Sequence, residues 1–353
     1  MMIPPKRILV DFERLRYPHT GLYHYSLQLG NALLEAATEK ETFSFYLPVR
    51  EKAAFRHGYN LIGQHSLHKY FMPFRNQYDL WHATYQGTNY LPSTKAPVVL
   101  TVHDLNFIHD DRLEAAKKRK YLRKLQNHVN RASYIVAISE FTLGEVRQHL
   151  RLDGKPTRVI YNGCNVSANA LPIAPEFIPS KPFVFTVGTV TEKKNFHILP
   201  PLLHGNDMQL VIAGIWQSDG YKAKIEAEAR KWNVSDRVFL VGPVSENDKL
   251  WYLQNCAAFV FPSLAEGFGL PVIEAMHFGK PVLLSNLSSL PEVGGDAAYY
   301  FQNFEPSEMQ QTLAAALTHF ASSNQAERAR KRAAQFSWNR AALEHLEVYR
   351  SLL

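Results

Sequence analysis

The sequence predicts two α/β domains, each a doubly wound parallel sheet covered by helices, joined by a single linker. Three observations carry this. The chain has 353 residues, more than one hydrophobic core usually grows to, so two domains of roughly 150 to 180 residues each are expected. Short apolar runs rich in β-branched and aromatic residues recur in two series, with helical patterns between several of them, as in a parallel sheet built from β-α-β units. Between the series lies NVSANALPIAPEFIPSKP, whose Pro172, Pro175, Pro179 and Pro182 favour extended, non-helical chain.

The first series reads RILVDF, TFSFYLP, DLWHA, VVLTVHD, YIVAIS and TRVIYNG. After its first run comes GLYHYSLQLGNALLEAA, where Leu22, Tyr25, Leu29, Ala32 and Leu33 share one face at helical spacing. A second helical pattern, KKRKYLRKLQNHVNR, interleaves Lys117, Lys118, Arg119, Lys120, Arg123, Lys124 and Arg131 with Tyr121, Leu122, Leu125 and Val129. One face of it can pack on the domain while the cations face outward. The second series is FVFTVG, QLVIAG, RVFLVG, AAFVFPS, KPVLLSN and AAYYF. From Trp338 to Leu353 the chain reads as an amphipathic helix with Ala341, Leu343, Leu346, Tyr349 and Leu352 apolar. The expected organisation is a first domain over 1–166, a linker over 167–182, a second domain over 183–336, and a helix over 337–353 that packs back toward the first domain. No repeat of solenoid length is visible.

Hydrophobic residues at 46% and charged residues at 20% are ordinary for a soluble globular protein and exclude disordered and fibrous classes. The net charge of +7 favours anionic partners: nucleic acid, an acidic membrane or a phosphorylated ligand. Cys164 and Cys256 form neither a CxxC pair nor a metal-ligand spacing with histidine, so no disulfide framework or zinc site is expected, and a reducing cytoplasm fits. MMIPPKRILVDF lacks the pattern of a secretory signal, and no run of about 18 apolar residues occurs. The expectation is a chain that neither spans a membrane nor is exported.

In open parallel sheets, ligands bind beyond the carboxyl ends of the strands. The unusual residues cluster there: His103 and Asp104 after VVLTV, Gly188 after FVFTV, Gly214 after QLVIA, Gly242 after RVFLV, and Glu266 shortly after AAFVFPS. Two such edges facing each other would make a cleft. In EGFGLPVIEAMHFGKPV, Gly267 and Gly269 allow a tight turn, and Pro271 suits the first turn of a helix, where its missing N–H is not needed. Amides around Gly269 and Leu270 would face a phosphate with the helix dipole behind them. Glu274 lies one turn into that helix. A carboxylate beside a phosphate site needs hydroxyl donors of its own, and a ribose or pyranose diol supplies two. This points to a sugar nucleotide; the plain alternative is an exposed loop with two solvated acids.

The stretch resembles the E-x7-E motif of retaining glycosyltransferases of family 4, which have the two-domain GT-B fold. HTGLYHY, TVHDLNF, ISEFT, YNG, VGTVTEKKN, LVIAG, SLAEGFGLPVIEAM and PEVGGDAA extend the resemblance along nearly the whole chain. It implies that Glu266 contacts the transferred sugar, Glu274 the ribose, and the backbone of Gly267, Phe268, Gly269, Leu270 and Pro271 the diphosphate. Lys193 and Lys194, in TVTEKKN, are where a cation meets the diphosphate and stabilises charge growing on the leaving group. In the family an arginine and a lysine often share this work; here Thr189 follows Gly188, and Lys193 stands where arginine is frequent. The resemblance puts His103 near the donor sugar and the reacting centre, so that His103, Glu266 and Lys194 are the candidate catalytic residues. Gly21 would let a first-domain loop approach the phosphate or sugar, and Val244, after Gly242 and Pro243, resembles the base-contacting loop. A solvated lysine pair, a structural histidine and a helix-initiating glycine are the respective alternatives.

The activity implied is transfer of a hexose from a nucleoside diphosphate sugar to a hydroxyl of a glycan or lipid-linked glycan. Likeness to bacterial polysaccharide and lipopolysaccharide mannosyltransferases suggests mannose from GDP-mannose. The first domain would bind acceptor and the second the nucleotide sugar. No cofactor or metal is implied, because no paired-aspartate DxD stands at a strand end of the second domain. The Lys117 to Arg131 helix could dock on an anionic membrane, which would make a cytoplasmic enzyme peripheral to the inner face; a solvated helix face is the alternative. Nucleic-acid modules are not recognisable, and GFGLPV is no dinucleotide fingerprint. A sugar-nucleotide epimerase on the same fold and a non-catalytic nucleotide-sugar binder remain alternatives.

Overall fold

The computed structural model describes residues 4–18, 20–55, 58–72, 74–91, 95–110, 112–166 and 172–353. The first five residues of the expected linker, 167–171, lie outside this set. Two compact units form: Met1–Gly163 with Ser337–Leu353, and Cys164–Phe336.

In the first unit the chain runs β1 (Lys6–Asp11), α1 (Gly21–Ala36), β2 (Glu41–Leu47), β3 (Tyr59–Gly63), β4 (Leu80–Ala83), β5 (Val98–Val102), α2 (Ala115–Arg131), β6 (Tyr134–Ala137), α3 (Glu140–His149) and β7 (Thr157–Val159). The strands make one parallel sheet in the order β3-β2-β1-β4-β5-β6-β7. All of β4 and β5 is buried, as strands covered by helices on both faces must be. The six apolar runs of the first series are all strands; β3, YNLIG, is an additional edge strand that stays half exposed.

The second unit runs β8 (Phe183–Val187), β9 (Gln209–Ala213), α4 (Asp219–Lys231), β10 (Val238–Gly242), α5 (Glu246–Asn255), β11 (Ala258–Phe261), α6 (Leu270–His277), β12 (Val282–Ser285), α7 (Leu290–Gly294), β13 (Tyr299–Phe301), α8 (Pro306–Ser322) and α9 (Gln325–Ala333). Its parallel sheet is ordered β10-β9-β8-β11-β12-β13, and each strand is one of the apolar runs of the second series. The described end of the expected linker packs as part of this unit. Asn247 bonds both the N–H and the carbonyl of Ile173, and Tyr252 Oη donates to the Phe177 carbonyl at 2.7 Å.

The last helix, α10 (Trp338–Leu352), belongs to the first unit and packs on α1. Its buried face is Trp338, Ala341, Ala342, His345, Leu346, Val348 and Tyr349. Leu343, counted on the apolar face from its hydrophobicity, is 48% exposed, while the polar His345 is buried. His345 can be buried because its Nδ1 donates to the Ala341 carbonyl at 2.8 Å. Tyr349 Oη meets His82 Nδ1 at 2.6 Å, and His82 Nε2 meets Thr101 Oγ1 at 2.8 Å, so polar groups tie α10 to β4 and β5.

Strand order reverses once in each sheet, between β1 and β4 and between β8 and β11. At such a reversal the connections leave in opposite directions and open a crevice at the carboxyl ends.

Candidate functional site

In the second unit the crevice lies where β8 and β11 pair, and the loops that follow these two strands carry the lysines and the first acid. Lys193 and Lys194 form a tight turn, Glu192–Lys194, which Asn195 closes in the left-handed conformation at φ 59°. Leu264 N–H donates to the Lys193 carbonyl at 2.9 Å, stitching the loop after β11 to the loop after β8. Residues 72 apart in sequence therefore meet: Lys194 Nζ lies 2.5 Å from Glu266 Oε1 and 4.5 Å above the Phe261 ring. Both side chains are largely buried, 14% and 11% exposed. Burial alone would push the Glu266 carboxyl up, but Lys194 beside it and Lys193 hold it below the usual carboxylate range. The loop after β12 braces the same residue. Glu266 N–H donates to Ser288 Oγ at 3.0 Å, and Ser289 Oγ donates to the Glu266 carbonyl at 3.1 Å.

The helix after Glu266 starts as the sequence suggests. Gly269 caps α6 with φ 97°, a conformation that favours glycine, and Pro271 sits in the first turn. The positive end of the helix faces the Gly267 to Leu270 turn. The Phe268 side chain is buried against Phe336, with centroids 5.5 Å apart, so what this residue can offer a ligand is its backbone. Glu274 is 1% exposed; its Oε1 accepts from Asn165 Nδ2 at 2.9 Å and from Lys249 Nζ at 3.1 Å. Neither Asn165 nor Lys249 was singled out from the sequence. Val244 is half-buried in the turn between β10 and α5, directly before the capping residue Ser245.

In the first unit His103 follows β5 and is 6% exposed. Its Nε2 donates to the Thr84 carbonyl at 2.7 Å, and the Tyr25 ring meets it edge-on at 4.5 Å. Burial, only partly offset by Thr84, brings its pKa down to about 4, so near neutral pH the ring is uncharged with Nδ1 as the acceptor. Gly21 is the first residue of α1, after the Thr20 cap; a Cβ there would meet nothing within 4 Å among the described residues, so their packing does not require glycine.

Around the crevice between β1 and β4 stand residues that the sequence reading passed over. The Arg14 guanidinium lies 4.0 Å over the Tyr85 ring and 3.7 Å from Glu13. The pairing of acid and base in ERLR, directly after a strand, was the available signal. Asp11, at the end of β1, accepts from Glu13 N–H at 3.0 Å and Thr88 Oγ1 at 2.9 Å. Burial raises its pKa from 3.8 to about 7. An acid that ionises near 3.8 when unfolded and near 7 when folded makes the native state lose stability as pH rises across that interval. Asp11→Asn is therefore expected to stabilise the chain by about 1 to 3 kcal/mol above pH 8 and to change little near pH 4, as read from urea unfolding.

Three cations of the basic helix α2 reach back to neighbouring loops. Lys118 donates to the Ile108 carbonyl at 2.7 Å, Lys124 to the Gly87 carbonyl at 2.9 Å and Asn89 Oδ1 at 2.7 Å, and Arg131 to the Leu91 carbonyl at 2.7 Å. These three tie the helix to its neighbours; Lys118 is half-buried, and Lys117, Arg119, Lys120, Arg123, Lys124 and Arg131 are exposed. Among the described residues no helix is long and apolar enough to cross a membrane.

Comparison with known proteins agrees with this geometry. The family described as Glycosyl transferases group 1 matches residues 172–336, and Glycosyltransferase Family 4 matches residues 34–168. The O-antigen chain mannosyltransferase B of Escherichia coli is 27% identical over 98% of this chain and 100% of its own length. Among solved structures, the sucrose-phosphate synthase of Thermosynechococcus elongatus superposes with a TM-score of 0.79 at 20% identity, covering 98% of this chain and 99% of that one. HepE of Anabaena, in complex with UDP and glucose, gives 0.75 at 19% identity over 99% and 100%. The group 1 match spans the lysine turn, Glu266, the α6 turn and Glu274, and the two parallel sheets are those of these enzymes: the chain belongs to the group 1 and family 4 glycosyltransferases of GT-B fold.

Proposed function

We propose that the chain is a retaining hexosyltransferase that moves mannose from GDP-mannose to a hydroxyl of a glycan or lipid-linked glycan in the synthesis of a cell-surface polysaccharide. The observation that carries the reading is the Lys194–Glu266 pair at the β8/β11 crevice, directly before a helix whose N-terminus faces the same turn. Lys193, Lys194 and that helix end offset the diphosphate charge without a metal. Glu266 accepts from sugar hydroxyls and Glu274 from the ribose, while neutral His103 and the Arg14, Glu13 and Tyr85 group serve the acceptor side. The bond from the anomeric carbon to the β-phosphate breaks as the acceptor oxygen bonds on the same face, and the acceptor proton passes to the departing phosphate. Mannose and the polysaccharide context rest on the name of the Escherichia coli relative, and the nucleotide sugar is supported by the UDP complex of HepE.

The test is product analysis with GDP-mannose and polysaccharide-derived acceptors, with and without chelator. A product of unchanged anomeric configuration, formed equally in chelator, is expected. Inverted product refutes retention, activity lost to chelator and restored by divalent cation refutes metal independence, and conversion of GDP-mannose to another nucleotide sugar favours an epimerase. In calorimetry with GDP, Glu274→Ala should bind roughly ten- to a hundredfold more weakly and Glu274→Gln less so, because the amide keeps one acceptor.

Residence on the cytoplasmic face of an anionic membrane is part of the same proposal, with Arg119, Lys120 and Arg123 as the contact. Each cation near such a surface adds about 1 kcal/mol. Changing the three to Glu is expected to abolish sedimentation with anionic vesicles at low salt, and equal sedimentation of the variant and the parent chain would remove α2 from the contact.

A further inference from the structure

Lys249 stands in the first half of α5, where its sequence neighbours suggest an ordinary surface cation, yet its side chain is only 10% exposed. Lysines are almost never buried unless paired. Its ammonium lies 2.8 Å from Glu246 Oε2 and 3.1 Å from each oxygen of Glu274. Burial opposes the charge, but Glu274 and Glu246 together hold the ammonium above the ordinary lysine range. A buried ion pair is a poor way to gain stability, since apolar side chains of the same volume often serve as well or better. The pair calls for another reason.

The two oxygens of Glu274 differ in a way that supplies one. Oε1 already accepts from two donors, Asn165 and Lys249. Oε2 is buried and close to the ammonium, but among the described residues no hydrogen-bond donor is aligned on it. Two donors on one oxygen fix the rotation of the carboxylate, and the other oxygen keeps its lone pairs for a hydroxyl. We propose that Lys249 is a positioning residue for the nucleotide ribose: it holds Glu274 in the rotamer that offers Oε2 to a ribose hydroxyl, and so sets the preference for ribonucleotide over deoxyribonucleotide donors. This rests on the reading of Glu274 as the ribose ligand.

The experiment is calorimetry of the full chain with GDP and UDP and with their 2′-deoxy and 3′-deoxy forms, using whichever base binds more tightly. The parent chain is expected to favour the ribonucleotide by about tenfold or more over at least one deoxy form. Lys249→Met and Lys249→Gln should bring that ratio down to about one to three, Lys249→Arg should keep most of it, and Glu246→Gln, which leaves both donors to Glu274 Oε1 in place, should leave it intact. A purely structural lysine would lower all affinities together and leave the ratio unchanged. An unchanged ratio in whichever neutral variant folds therefore overturns the role of Lys249. Absence of any preference in the parent chain, or of nucleotide binding, overturns the ribose reading of Glu274 instead, and the role of Lys249 with it.

Discussion

Turnover by Lys194→Ala is expected to fall by a factor of about 100 to 1,000, the usual cost of removing one fixed charge aimed at a developing anion. The same change leaves the buried Glu266 without its cation, and breaking one side of a buried pair costs about 3 kcal/mol. The two effects must be separated. Lys194→Ala with Glu266→Gln removes the unpaired carboxylate, so most of the stability should return, while turnover stays low because both the cation and the sugar-binding carboxylate are missing. The stability of the double variant therefore gives the cost of the broken pair, and the turnover of the single variant gives the role of the cation. Urea unfolding reads the first quantity and steady-state release of the nucleoside diphosphate reads the second. If the single variant loses stability but keeps turnover, Lys194 only supports Glu266, and the charge on the leaving group is met elsewhere. Lys193, whose carbonyl rather than its ammonium makes the link to the loop after β11, should give a smaller loss when changed alone.

The sheets were readable because parallel strands buried on both faces must be largely apolar. FVFTV and QLVIA are buried at every position, and a run of that kind announces itself without any partner in view. β3 escaped for the opposite reason. It is an edge strand, Asn60 and Leu61 are exposed, and YNLIG shows neither a continuous run nor a clean alternation. On α10, hydrophobicity and burial part company. Leu343 was assigned to the packed face and His345 was not, because a scale that ranks side chains by polarity does not register that one imidazole nitrogen can be satisfied by the helix's own carbonyl.

The site shows the same division between local and distant information. Glu266, the glycine turn and Glu274 are contiguous, so their spacing could be read from the chain. The partners that charge and orient them are not contiguous. Lys194 reaches Glu266 across 72 residues and Asn165 reaches Glu274 across 109, distances bridged only by the pairing of β8 with β11 and by the return of residues 164–166 to α6. Lys249, 25 residues before Glu274, sits in ENDKLWYLQN, whose polar start hides the fact that one turn of α5 faces inward. On α2 the charge-rich pattern did mark an outward face, since every cation but the half-buried Lys118 is exposed. What the pattern does not show is that lysine stems are long enough to carry an ammonium back to a neighbouring carbonyl, as Lys118 and Lys124 do.

Gly214→Ala is expected to cost about 3 to 5 kcal/mol, the largest effect on stability foreseen for a change this small. Gly214 directly follows β9 with φ 139°, a conformation that an L-residue rarely adopts. A Cβ built there would lie 1.9 Å from the Gly188 carbonyl oxygen and 2.7 Å from its carbon. The obstruction is backbone, so no side-chain rotation relieves it. Nor are the two strand ends free to part: Gly188 N–H donates to the Ala213 carbonyl at 3.0 Å, and Gly214 N–H to the Gly242 carbonyl at 2.7 Å. Relief requires the loop after β8 to shift, and that loop leads within six residues to Lys194. Turnover should therefore fall along with the melting midpoint, since a misplacement of about 1 Å at a reacting group costs about a hundredfold. For a unit of this size the stability loss corresponds to a drop of about 10 °C. Gly21→Ala is the matched control: among the described residues a Cβ there meets nothing within 4 Å, and alanine is the better residue at the start of α1. Its melting midpoint should hold or rise slightly, so any loss of turnover in that variant would report the approach of a ligand to the backbone at Gly21. A Gly214→Ala protein that melts with the parent chain would show that the β8 and β9 ends can separate without cost, and that their close approach does not fix the position of the lysine turn.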